Sequence, residues 1–157
     1  MVRPSAFSLC LMVLLASLAF AASAGDEREA TGLSARAGWA FPVTADAPFG
    51  MVFLVLNNRG DKERVLQGAS SPVADKIELH AAVADLSPDT TRPVESMAVS
   101  PESDLIFAPG GPHLMLIGLQ RALEVGEQFP VTLHFDDGDS IALDVTVAKQ
   151  APAHFRH

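Results

Sequence analysis

The sequence predicts an all-β domain, a sandwich or barrel, on three observations. The apolar segments are short and evenly spaced, and most alternate with polar residues at the period of a strand. Turn-forming residues cluster between them, as at Asn57-Asn58-Arg59-Gly60-Asp61, Pro109-Gly110-Gly111-Pro112 and Asp136-Asp137-Gly138-Asp139. Proline recurs at positions 42, 48, 72, 88, 93, 101, 109, 112, 130 and 152. Since an interior proline breaks a helix, little room is left for an amphipathic helix longer than about three turns. Short strands with turns at regular spacing make a sandwich or barrel.

Taken in order, Met51 to Leu56 (MVFLVL) is a near-continuous apolar run ended by the Asn57 to Asp61 turn signal. Lys76 to Val83 sets Ile77 and Leu79 on one face and Glu78 and His80 on the other. Asp104 to Ala108 runs into the Pro109 to Pro112 turn, and His113 to Leu119 (HLMLIGL) follows it. Phe129 to Phe135 puts Val131, Leu133 and Phe135 on one side, with Thr132 and His134 on the other. The Asp136 to Asp139 turn then joins it, as a hairpin, to Ile141 to Val147.

The chain has 157 residues, the size of one domain. Residues Met1 to Ala24 read as a secretory signal peptide: Arg3 ahead of an apolar stretch, then the small residues Ala22-Ser23-Ala24 before polar Gly25-Asp26-Glu27. The expected organisation is therefore a signal at 1–24, a polar lead at 25–32, a domain at 33–148 and a free tail at 149–157. Cys10 lies inside the apolar stretch, not at its end, which speaks against a lipid-anchoring cysteine. Cleavage after Ala24 would remove this one cysteine, so the exported domain would rest on core packing alone. The net charge of −8 argues against nucleic-acid binding and against attraction to anionic lipid.

Candidate chemistry has few parts. No phosphate-cradling glycine loop or nucleophile elbow is present, and most acids sit in turns, where solvation explains them. The concentrated signal is His113-Leu114-Met115 directly after the Pro109 to Pro112 turn. Alternate residues of a strand leave the same face, so an imidazole and a thioether would stand side by side. That pair suits copper, because thioether favours Cu(I) and imidazole serves either oxidation state. His80, opposite Ile77 and Leu79, is the third candidate. On the residues alone, a core Met115 beside a surface His113, with His80 a surface neighbour of Glu78, fits as well.

The segments NNRGDKERVLQGASSPVADKIELH (57–80), FAPGGPHLMLIGL (107–119) and GEQFPVTLHF (126–135) resemble the PCu(A)C family of periplasmic copper chaperones across nearly the whole mature domain. The resemblance implies a cupredoxin-like Greek-key β-barrel, a monomer and not an enzyme, holding one Cu(I). It implies delivery of that copper toward the CuA centre of cytochrome c oxidase, beside Sco-type proteins. The family's ligands are His, Met eleven positions on, His twenty-two further, and Met two beyond. His80, His113 and Met115 match that pattern, whereas Thr91 stands where the first Met belongs. Three outcomes follow: a three-ligand Cu(I) site, a fourth donor from elsewhere, or a degenerate site in a metal-free interaction module. His154 and His157 of the tail could supply that donor and would also suit Cu(II). Met97 is expected to be a core residue.

Overall fold

A computed structural model describes residues 32–82 and 91–153 of the chain. They form β1 (Leu33–Ala40), β2 (Phe49–Asn58), β3 (Arg64–Ser70), β4 (Ala74–Ala82), β5 (Thr91–Val94), β6 (Met97–Val99), β7 (Ser103–Ile106), β8 (His113–Leu119), β9 (Gln128–Phe135) and β10 (Ser140–Val147). The expected signal peptide and the two tail histidines lie outside the described residues.

The strands make one sheet in the order β5-β4-β8-β2-β1-β10-β9-β3-β6, with β7 also paired to β2. Among the described residues β1 and β10 alone run parallel; every other pair is antiparallel. The sheet curls so that its inner faces meet around one core. Val52, Leu54 and Leu56 of β2, Leu114 and Leu116 of β8, and Val131 and Leu133 of β9 are fully buried there. The hairpin between β9 and β10 turns at Gly138, whose φ of 88° suits a residue without Cβ.

A second apolar cluster lies on the other face. Trp39, Phe53 and Val55 are buried there, with Phe41 and Met51 packed against them. The continuous burial of β2 reflects this double cover: even-numbered residues face the main core and odd-numbered ones the second cluster. Ala148 and Ala151 also pack on that cluster, so the start of the expected free tail is held against the barrel.

The structure differs from the sequence expectation in two further places. Asn57 and Asn58, read as a turn, are the buried end of β2. Asn58 Nδ2 donates to the carbonyls of Lys62, Val99 and Ser100, and its Oδ1 accepts from the Gly60 amide. The side chain thus acts as a surrogate strand partner, and the turn begins after it. Strands β1, β3, β5 and β6 were not signalled by the apolar pattern. β1 is interrupted by a bulge between Arg36 and Trp39, where Ala37 takes a φ of 57°.

Candidate metal centre

Strands β4 and β8 are neighbours, and their register sets His80 directly opposite His113 and Glu78 directly opposite Met115. On the far side of β8, Met51 of β2 lies opposite Met115. Cross-strand partners share a face, so the outer face carries two rows. One row runs Pro93, His80, His113, and Phe53 extends it, its ring centre 6.3 Å from that of His113. The other runs Glu78, Met115, Met51. The alternating residues Leu114 and Leu116 point the opposite way, into the core.

The two imidazoles have ring centres 5.2 Å apart and planes inclined by 33°. Two rings sharing one ion, each through a nitrogen at roughly 2.0 Å, place their centres on the order of 5–6 Å apart. Both histidines are buried, at 7% and 6% exposure for His80 and His113, so the sequence reading of His80 as an outward polar residue needs refining. Its side does face away from the main core, but the His113 ring lies against it and Pro93 of β5 is its cross-strand partner.

Each ring has one nitrogen engaged. His113 Nδ1 lies 3.1 Å from the Gly111 carbonyl, and His80 Nε2 lies 3.3 Å from Glu78 Oε2. When those nitrogens donate their protons, His80 Nδ1 and His113 Nε2 are left as lone-pair donors. His80 Nδ1 is buried without a hydrogen-bond partner, an uncommon state that an ion would relieve. Burial, ahead of the neighbouring His80, lowers the His113 pKa and keeps the ring neutral, although the bond to Gly111 opposes this. Glu78 is held below the ordinary carboxylate range by Lys76, whose ammonium lies 2.7 Å from Oε1, and then by His80.

The turn before β8 fixes the approach of His113. Gly110 adopts a φ of 80°, the Gly111 amide donates to the Ala108 carbonyl, and the Ala108 amide to that of Pro112. The carbonyl that orients the ring therefore belongs to a closed loop.

His80, His113 and Met115 are thus brought to one place. Met97 is not among them: it is buried in the main core on β6, as the sequence reading expected. Thr91 is placed opposite Ala82, two pairs along from His80 and therefore on the same face, diagonal to it. Among the described residues no three His, Cys, Asp or Glu side chains gather as a metal set. Sequence reasoning missed Met51, because its nearness to Met115 depends on the β2–β8 register, for which one sequence holds no signal.

Three comparisons bear on the chain. Residues 33–147 match the family described as "Putative lipoprotein LpqE-like". A relative from Leifsonia xyli subsp. xyli, "Putative lipoprotein Lxx21020", is 31% identical over 121 residues, 76% of this chain and 72% of its own. Among solved structures, Cu(I)-bound DR1885 of Deinococcus radiodurans superposes with a TM-score of 0.61 at 27% identity, covering 76% of this chain and 78% of that one. The copper-bound PCuAC domain from PmoF2 superposes with a TM-score of 0.64 at 21% identity, covering 77% and 94%. The all-β, cupredoxin-like barrel implied by the sequence resemblance is the fold observed.

Proposed function

The chain belongs to the LpqE-like family and has the fold of PCuAC domains, and from that premise we propose that it is a copper carrier that binds Cu(I) through His80, His113 and Met115. The observation that carries this reading is the facing pair of buried imidazoles, 5.2 Å apart, with a thioether on the next position of the same face. Copper is cargo here, and the protein performs no turnover. His80 would bind through Nδ1 and His113 through Nε2, the two nitrogens left without a protein proton to give. Neither thioether nor neutral imidazole loses a proton on binding, so ligands can exchange one at a time during transfer. An acceptor with thiolates, the stronger donors for Cu(I), sets the direction of that transfer.

The acceptor is inferred to be a protein of cytochrome c oxidase assembly, the CuA subunit or a Sco-type partner, met in the periplasm after removal of residues 1–24. The surplus of 19 acidic over 11 basic residues favours docking on basic surfaces. The tail histidines His154 and His157 would add a Cu(II) option.

Competition for Cu(I) against bicinchoninate tests the proposal. The protein is expected to withdraw one equivalent. His113→Ala abolishes withdrawal, and His134→Ala, on the surface beside Ser70 of β3, leaves it unchanged. No withdrawal by the wild type would leave the domain as a metal-free interaction module.

A further inference from the structure

We infer that Met51 is a second thioether ligand of the same ion, replacing the donor that Thr91 cannot supply. The inference rests on the copper reading and goes beyond it, because position 51 lies outside the ligand spacing that the sequence resemblance carries. Four observations support it. Met51 is the direct cross-strand partner of Met115, so their Cβ atoms stand about 4.5–5.5 Å apart on one face. That face is the one carrying His80 and His113. Both sulfur-bearing residues are only partly buried, unlike Met97, which is enclosed in the main core. Finally, Met51 packs on the cluster of Trp39 and Phe53, and Phe53 is the neighbour of the His113 ring. An aromatic wall therefore backs both the thioether and the imidazole.

Reach permits the arrangement. Strands β4 and β2 flank β8, and the two residues lie in adjacent rows, so Met51 and His80 are separated by two strand spacings and a two-residue offset along the strand, about 12 Å between Cα atoms. The ion need not sit midway over Met115. Three freely rotating bonds let the Met51 sulfur swing across β8 toward the imidazoles. Glu78 is the competing fourth donor from the opposite flank, but its oxygens are taken by Lys76 and His80, and carboxylate is the harder ligand. Thr91 offers a hydroxyl, which is hard as well. The set of two imidazoles and two thioethers is thus rebuilt with one sulfur arriving from β2 instead of from the start of β5.

The test is X-ray absorption on the Cu(I)-loaded full chain, with bicinchoninate competition on the same samples, for the wild type, Met51→Leu, Met115→Leu and Met97→Leu. Leucine preserves bulk, and circular dichroism checks that each variant folds. The wild type is expected to show two sulfur neighbours. Met51→Leu and Met115→Leu should each show one and bind at least about tenfold more weakly, the lower end of what even an outer-shell partner costs. Met97→Leu should show two and keep wild-type affinity. One sulfur in the wild type, with Met51→Leu binding as tightly, overturns the assignment of Met51 while leaving the copper reading intact. Two sulfurs that persist in Met51→Leu overturn it in favour of another donor. A wild type that takes no Cu(I) ends both.

Discussion

Glu78 offers the sharpest test of how the site is held. A metal-binding imidazole is oriented by the oxygen that takes its other N–H, and losing such a partner costs about 10- to 100-fold in metal affinity. Here the oxygen is Glu78 Oε2, 3.3 Å from His80 Nε2. Three features put the expected loss at the lower end. The contact is longer than the 2.9–3.0 Å typical of N–H···O bonds. Lys76 already engages the other carboxylate oxygen at 2.7 Å. The Glu78 side chain is 24% exposed, so water screens its charge. Glu78→Leu, which removes charge and acceptor together, is expected to weaken Cu(I) binding by about tenfold. Glu78→Gln keeps an acceptor oxygen and should cost only a few-fold. His80→Ala, which removes the donor itself, should cost far more than either. Bicinchoninate competition at fixed pH and salt ranks the three. If Glu78→Leu matches the wild type while His80→Ala abolishes binding, the carboxylate does not orient the ring. If Glu78→Leu instead equals His80→Ala, Glu78 is itself a ligand.

Other consequences are open to simpler measurements. Asn58→Ala strands three carbonyls that its amide now serves inside the barrel, and is expected to cost about 2–4 kcal/mol; a urea midpoint close to that of the wild type would refute the surrogate-strand role. Burial holds the His113 pKa below its ordinary 6.5. The unfolded chain therefore takes up this proton first as pH falls, so apo-protein stability should decline below about pH 6.5 until the folded ring also titrates. His113→Gln should remove that part of the decline, and an equal decline in the variant would assign it to other groups. Thr91→Met restores a thioether on the face of His80; with Met51 already completing the donor set, its Cu(I) affinity should stay within a few-fold of the wild type, and a rise of about tenfold would mean that the wild-type site has only three donors.

What could be read in the sequence, and what could not, divides along one physical line. Strands whose two faces differ announce themselves: β9 and β10 alternate, and their inward residues are the ones buried. β8 was bounded correctly at His113 and Leu119 because proline and glycine fence it in front and Gly118, at a φ of 67°, loosens its end. Alternation fails where both faces are covered. His80 obeys the period of β4 yet is buried, its ring set against that of His113, which in turn neighbours Phe53. The unbroken apolar run of β2 already carried the sign of that second cover. β3 and β6 are short or polar and owe their state to partners far away in the chain, such as Leu66 opposite Met97, while the four-residue β5 is an edge strand held by β4 alone; intrinsic propensity does not encode such pairing.

The same division decides how the site itself could be found. His113 and Met115 share a strand, so their alliance is local and follows from a period of two. His80 joins them through the β4–β8 register; periodicity marked it as a candidate by its face, and the resemblance of the two segments tied it to His113 and Met115. Met51 belongs to neither route. Its segment gives no ligand spacing, and its place beside Met115 follows only once β2 and β8 are aligned residue by residue. A one-residue slip in that register would turn Met51 into the main core and bring Val52 to the outer face. The slip is blocked because Val52, Leu54 and Leu56 fill the core with no exposed surface at all. Core packing on one face of β2 therefore dictates which sulfur the other face presents, and a donor lost from the start of β5 can be replaced without altering the barrel.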